Sequence, residues 1–274
     1  MGSSGHITKC VILARGLGTR MRRKEAHAAL DTSQSAAADT GLKAMIPVGR
    51  PFLDYVLSSM ADAGFKQACL VIGPEHEAVL EYYASTIRPE RIRVAFATQQ
   101  EPLGTANAVL AAEGFAGKDG FMVINSDNYY PAQALSSIQT LGRPGAVLFH
   151  ADVLARESNI PEERIRAFAY CVVDGEGFLA DIVEKPDAAA TAEFEAEKLV
   201  SMNCWRFGAE IFAACRDVPL SSRGEYELPQ AVKLAIQRGA KFKVATCREG
   251  VLDLSRRSDI TAVAVRLRGV KVRL

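Results

Sequence analysis

The 274-residue chain has no apolar run near the length of about 18 residues that a membrane-spanning helix needs, so no span is expected. It also lacks an excess of either charge: 33 Lys and Arg against 32 Asp and Glu leave a formal net charge of +1. A dedicated nucleic-acid binder would carry a clear basic surplus, so no nucleic-acid partner is expected. No CxxC pair occurs among Cys10, Cys69, Cys171, Cys204, Cys215 and Cys247, and most of them sit in apolar stretches such as KCVILA and ACLVIG. That pattern reads as buried free thiols rather than a disulfide framework or a zinc site. A reducing, cytoplasmic setting is the corresponding expectation. No signal peptide is visible, and residues 1–6 (Met-Gly-Ser-Ser-Gly-His) read as an expression remnant. No Gly/Ser/Pro-rich linker divides the chain.

What is present is an ordinary globular mixture, 49% apolar and 24% charged, at a length that suits one large α/β domain. Buried-strand runs at Ile7–Ala14, Gln67–Gly73, Arg91–Thr98 and Phe121–Asn125 alternate with helical patterns at Pro51–Gly64, His76–Ser85 and Thr105–Gly114. This alternation predicts βαβ units and a mainly parallel sheet. Further on, Phe168–Val173 and Phe178–Val183 flank the turn signal Asp174-Gly175-Glu176-Gly177. Helices are predicted at Ala188–Lys198, Glu227–Arg238 and Ser258–Arg268, and strands at Val200–Phe207 and Lys241–Cys247. The stretch Met21–Gly41 has no sustained apolar face and reads as a solvated helix or a mobile loop, either a surface insertion without chemistry or a lid beside the glycine loop; the prediction drawn from it is a mobile lid.

The first strand runs into Arg15-Gly16-Leu17-Gly18-Thr19-Arg20. Two glycines after a strand allow close approach of the backbone to an anion, and the arginine supplies charge. Gly-Lys-Ser/Thr is absent, so this is no P-loop; the third glycine of a dinucleotide fingerprint is missing as well. Alone, the motif is as compatible with a tight turn. Lys43, Gln99, Pro102, Gly104, Asp127, Glu184, Lys185 and Asp253 accompany it, mostly at strand ends. Open α/β sheets bind ligands at the C-terminal ends of their strands.

Taken in order, LARGLGTRM, LKAMIPVGRPFLDYVL, QQEPLGTANAV, NSDN, VEKP, SMNCWRF and RGEYELPQAV resemble the successive motifs of the sugar-1-phosphate nucleotidyltransferases, or nucleotide-sugar pyrophosphorylases. The resemblance runs from residue 11 to about residue 260. It implies a Rossmann-like α/β fold of the nucleotide-diphospho-sugar transferase type, a mixed, mainly parallel sheet with helices on both faces. It further implies a single domain over residues 7–274. Residues 7–150 would be mainly nucleotide-binding and 151–256 mainly sugar-phosphate-binding, with a C-terminal helix and tail at 257–274. The implied reaction joins a nucleoside triphosphate (UTP or dTTP slightly favoured) to a sugar 1-phosphate, releasing pyrophosphate. A sugar phosphate is already an anionic nucleophile, so catalysis is mostly alignment and charge neutralisation.

The resemblance assigns roles residue by residue. Ala14, Gly16, Leu17, Gly18 and Thr19 would hold the nucleotide, with Gln99, Gly104 and Thr105 at the base. Arg20 and Lys43 would be catalytic. Cys171, Glu184, Lys185, Asn203 and Arg223 would meet the sugar phosphate. Asp127 and Asp253 would hold Mg²⁺, a hard cation suited to oxygen ligands. A homo-oligomer is compatible with the family. Several positions depart from its pattern. Arg15 replaces Ala or Gly, Leu42 replaces Pro, and Ser126, Cys171, Asn203 and Ser255 replace Gly; the spacing from Arg20 to Lys43 is also longer than usual. These leave two alternatives open: a non-catalytic nucleotide- or sugar-phosphate-binding regulatory relative, or a nucleotidyltransferase using a non-sugar phosphate acceptor.

Overall fold

The computed structural model describes residues 5–25, 28, 30–183 and 198–274. The runs that are apolar at nearly every position become strands covered on both sides. β1 (Lys9–Leu13), β2 (Gln67–Ile72), β3 (Arg93–Thr98) and β4 (Phe121–Asn125) are parallel, in the spatial order β3-β2-β1-β4. Side-chain alternation sends Cys10 and Ile12 of β1 into one core and Val11 and Leu13 into the other. A sheet buried on both faces requires this continuous apolar pattern.

Between these strands lie α1 (Thr19–Arg22), α2 (Thr32–Thr40), α3 (Phe52–Asp62), α4 (Glu77–Glu81), α5 (Thr105–Ala111) and α6 (Glu113–Ala116). Phe52, Leu53, Val56 and Met60 of α3 fill the first core, and Ala106 and Val109 of α5 fill the second. Helices therefore cover both faces.

The chain continues through β5 (Asn128–Tyr129), α7 (Ala132–Thr140), β6 (Gly145–His150), α8 (Ala151–Glu157), α9 (Glu162–Ile165), β7 (Tyr170–Val173) and β8 (Leu179–Val183). After residue 197 come β9 (Leu199–Phe207), α10 (Ile211–Asp217), α11 (Leu228–Gln237), β10 (Lys243–Cys247), β11 (Leu252–Asp253) and α12 (Arg257–Leu267). β9 runs antiparallel between β4 and β6, and the full path is β10-β6-β9-β4-β1-β2-β3, with the β7–β8 hairpin branching from β9. β5 and β11 form a separate two-residue antiparallel pair. Among the described residues no helix is long and apolar enough to cross a membrane.

Sequence reading assigns nothing between residues 129 and 167, where the structure has β5 and its successors through α9. β6, GAVLFH, is buried along its whole length, but α8 follows it directly without a turn signal. Helices of four to seven residues also have too few turns to display a face. The helix predicted at Ala188–Lys198 lies, up to residue 197, outside the described residues.

The lid predicted for Met21–Gly41 requires correction. Met21 is fully buried, and the segment's main element is α2, docked on the first core through Ala38. Asp31 caps α2: its Oδ1 accepts from the Gln34 N–H at 2.8 Å, and Gln34 Oε1 accepts from the Asp31 N–H at 3.3 Å. Arg257 pairs with Asp39, and Arg22 donates twice to the Thr40 carbonyl, at 3.1 and 2.8 Å. Caps, the Arg257 and Arg22 contacts and the single buried Ala38 hold this helix, so a search for an apolar stripe overlooks it.

Candidate active site

Register brings the strand ends level. Leu13 lies opposite both Val71 and Asn125, and Ile72 opposite Thr98. The chain runs from β1 outward to β3 and then returns to β4 on the other side of β1, so the β1–β4 edge is the switch point at which such sheets bind ligands. A cavity of about 450 Å³ opens there.

Ala14, Gly16, Leu17, Gly18, Thr19 and Arg20 form one wall of it. Gly18 has φ 61°, and a Cβ there would drive into the Gly41 carbonyl. The end of α2 thus sets the shape of the loop, and only glycine fits. A Cβ at Gly16 would meet nothing within 4 Å.

Gln99, Gly104 and Thr105 form the facing wall. Gln99 is buried, and its Nε2 donates to the Gly104 carbonyl at 3.0 Å and to Asn107 Oδ1 at 2.8 Å. These bonds use only the amide nitrogen. Gly104 has φ 105°, and a Cβ there would stand 2.6 Å from the Tyr226 carbonyl oxygen. The Ala106 N–H bonds that same carbonyl at 2.8 Å, while Thr105 Oγ1 accepts from the Leu228 N–H at 2.8 Å. RGEYELPQAV is thereby laced to the PLGT turn, which brings Arg223 to the cavity rim. Arg223 Nε donates to the buried carboxylate of Glu227 at 3.0 Å.

The floor carries the charges. Lys43 Nζ donates to Asp127 Oδ2 at 2.7 Å, with each side chain 19% exposed. Lys43 comes from a single 3₁₀ turn after α2, and Asp127 from the turn that leaves β4. Asp253 was expected beside Asp127 as a metal ligand, but the structure places it outside the cavity wall. β11 pairs it with Asn128, whose Nδ2 donates to Asp253 Oδ1 at 3.0 Å; Ser255 Oγ donates to the same oxygen at 3.1 Å, and Arg164 takes the other. Burial pushes the Asp253 carboxyl up to about 6; the charge of Asp127 adds to the shift and Arg164 opposes it. Burial also works against the charge of Arg164, but Asp253 and Asp259 outweigh it.

Mg²⁺ commonly binds through one or two carboxylates together with substrate phosphates, keeping several waters. Asp127 suits that role: it lines the cavity and gives one oxygen to Lys43. Asp253, with both oxygens engaged by the chain's own donors, does not as it stands. Among the described residues no group of three or more His, Cys, Asp or Glu could hold a metal.

Two further expected residues do not reach the cavity wall. Cys171 packs in the second core with Leu179 and Ile182, where burial, with the nearby charge of Asp181 adding to it, pushes its thiol up to about 12. Asn203 lies in a bulge of β9, since Val147 pairs with Cys204 but Leu148 with Ser201. It takes φ 57°, and its Oδ1 accepts from Trp205 Nε1 at 3.2 Å. Asn tolerates this conformation better than most residues. Glu184 and Lys185 lie outside the described residues. The sequence assigns no ligand role to Arg15, Asn125 or Ser126 and leaves Glu225 open between a helix N-terminal carboxylate and a sugar ligand; all four line the cavity. For three of them the signal was their place beside assigned residues. Arg164, reached only through the β11 pairing, left no signal.

The Nucleotidyl transferase family model matches residues 37–263. The chain is 27% identical over 232 residues to a UTP–glucose-1-phosphate uridylyltransferase, AglF, of Haloferax volcanii, covering 84% of each. It is 27% identical to a glucose-1-phosphate thymidylyltransferase of Streptomyces griseus, covering 84% of this chain and 58% of that one. It is 30% identical to a bifunctional GlmU protein of Pelotomaculum thermopropionicum, of whose length it spans 46%. A UTP-bound UGPase from Acinetobacter baumannii superposes with a TM-score of 0.72 at 20% identity, covering 97% of this chain and 95% of that one. A UDP-glucose pyrophosphorylase complexed with UDP-glucose also gives 0.72, at 16% identity and 97% and 100% coverage. These two likenesses bear out the mixed, mainly parallel α/β fold.

Proposed function

The chain belongs to the sugar-1-phosphate nucleotidyltransferase family, and on that premise we propose that it transfers the nucleotidyl group of UTP or dTTP to a sugar 1-phosphate, releasing pyrophosphate. The observation that carries this reading is the Lys43–Asp127 pair at 2.7 Å on the floor of a cavity walled by the glycine loop and Arg20. The phosphate oxygen of the sugar phosphate attacks the α-phosphorus while the bond to the β-phosphate oxygen breaks. The nucleophile needs no base. The barrier is the approach of two polyanions, so fixed cations that meet charge growing in the transition state supply the catalysis.

Gly16–Thr19 and Arg20 hold the triphosphate. Lys43 exchanges part of its contact with Asp127 for the α-phosphate. Asp127 would hold Mg²⁺, which would supply neutralisation of phosphate charge when bound with the nucleotide. Gln99 spends its amide nitrogen inside the protein, leaving Oε1 to accept from a base that presents a ring N–H, as uracil and thymine do. Arg223 reaches a second phosphate from the rim, and Glu184 and Lys185 of the E-K-P motif serve the sugar phosphate. The relatives name glucose 1-phosphate, so it is the first acceptor to try. The test is pyrophosphate release with UTP or dTTP and glucose 1-phosphate in the presence of Mg²⁺. Failure to release pyrophosphate across a panel of sugar 1-phosphates and all common triphosphates would overturn the reading.

A further inference from the structure

Arg15 follows β1 at the start of the glycine loop, and its placement is built rather than incidental. Its side chain is 7% exposed, although it contributes to the cavity wall. Nε donates to Glu75 Oε1 at 3.2 Å and Nη2 to Glu75 Oε2 at 3.3 Å, a two-pronged grip that fixes the plane of the guanidinium. Gly73 makes room for the grip: a Cβ there would drive into Arg15 Nε and both oxygens of Glu75. The third nitrogen, Nη1, is buried and has no acceptor.

A buried donor on a charged group that lacks an acceptor is costly to keep. A glycine and a carboxylate hold Arg15 in this position, yet one buried nitrogen stays unsatisfied on a side chain that lines a ligand cavity. We propose that Arg15 is a nucleoside-recognition residue of this chain, its Nη1 donating to an oxygen of the bound nucleoside. The inference rests on the nucleotidyltransferase reading. Direction favours the nucleoside over the phosphates. Glu75 follows β2, so the grip draws Arg15 toward the β2–β3 side, where Gln99 and Gly104 stand. Lys43 and Asp127 lie on the opposite, β4 side of β1. A base carbonyl or a ribose oxygen would satisfy Nη1 equally well.

The test compares wild type with Arg15→Ala and Arg15→Lys by equilibrium binding of UTP, uridine, ribose 5-triphosphate and tripolyphosphate. Arg15→Lys keeps the charge but lacks the third nitrogen, and it guards against a destabilised Arg15→Ala. Both variants are expected to weaken UTP and uridine by about tenfold and to leave tripolyphosphate within twofold. Ribose 5-triphosphate identifies the acceptor: it weakens as UTP does if a ribose oxygen takes the bond, and is spared if a base carbonyl does. Equal loss on tripolyphosphate would make Arg15 a phosphate cation and overturn the proposal. Full affinity in Arg15→Lys would reduce it to a charge effect, and unchanged affinities in both variants would leave only a structural ion pair. Wild type that binds no UTP would sink the functional reading itself, an outcome distinct from these.

Discussion

The two sides of the sheet treat their expected site residues differently. Around the C-terminal ends of the parallel strands β1–β4, the residues singled out by motif converge on one cavity: the glycine loop, Lys43, Gln99, Gly104 and Asp127 all line it. On the β7–β9 side, Cys171 is in the core and Asn203 is in a bulge beside Trp205. Apart from Lys43, which a 3₁₀ turn supplies, the contrast comes from where along a strand each residue lies. A residue just past the C-terminal end of a parallel strand projects into the ligand crevice whatever the sheet's fine register. A residue within a strand faces one side or the other by parity, and one extra residue reverses it.

The largest expected effect tests that contrast directly. Lys43→Ala should lower kcat by about 10²–10³-fold, since it removes a cation that meets charge developing in the transition state. The nucleotide KM should change far less. On the other side, Asn203→Gly and Cys171→Ser should stay within a few-fold of wild type in steady-state pyrophosphate release. A sugar-phosphate KM that rises as steeply in Asn203→Gly as kcat falls in Lys43→Ala would abolish the contrast.

Within the glycine loop the same logic separates two neighbours. Gly18→Ala forces a side chain into the Gly41 carbonyl at a positive φ, at a cost of about 1–3 kcal/mol. Gly16→Ala meets open space, so its unfolding free energy should stay within about 0.5 kcal/mol of wild type. Chemical denaturation of both variants measures the difference. Equal losses would mean that α2 does not buttress the loop.

How much of this could be read in the chain follows the same division. The βαβ order and the strand-end motifs were legible because each is a local pattern: an apolar run, then a glycine or a polar residue. Lys43 and Asp127, 84 positions apart, are each assigned to the site by motif, but nothing in the sequence shows that they pair with each other. Arg164 was out of reach, since its link to Asp253 depends on a two-residue bridge between β5 and β11. The segment of α2 stays open between helix and loop in the sequence because capping and Arg257, far along the chain, hold it rather than an apolar stripe. Arg15 was noticed as a departure, but its purpose depends on Gly73 and Glu75, which carry no motif.

The two strand-end carboxylates sharpen the comparison further. Asp127→Asn should impair turnover with little change in stability, because Asp127 is partly exposed in the cavity. Asp253→Asn should act first on stability, with a loss of about 1–3 kcal/mol. It weakens the contact with buried Arg164, which retains Asp259 at 2.8 Å. Denaturation midpoints set beside kcat for both variants decide the matter. A kcat loss in Asp253→Asn as deep as in Asp127→Asn, with unchanged stability, would return Asp253 to the catalytic floor.

The smallest effect concerns His76, behind the Arg15–Glu75 grip. Its Nδ1 accepts from the Gly73 N–H at 3.3 Å, which favours a neutral ring. Burial lowers its pKa below the ordinary 6.5; Glu75 opposes the shift, while the charges of Arg15 and Arg22 add to it. The unfolded chain therefore binds the proton more tightly than the folded one. Stability from this group is complete above about pH 6.5 and is lost as pH falls below that value toward the lowered folded pKa. One group of this kind contributes a slope of at most about 1.4 kcal/mol per pH unit. In His76→Gln the side-chain amide oxygen can still accept from Gly73, but nothing titrates. Melting curves for both proteins from pH 7.5 to 5.5 should show wild type losing ground to the variant as pH drops. Other titrating groups are common to both and cancel in the difference. A difference that stays flat across the range, or one that moves in favour of wild type at low pH, would show that His76 is not held neutral and that the wall behind Arg15 is less tightly built than the grip implies.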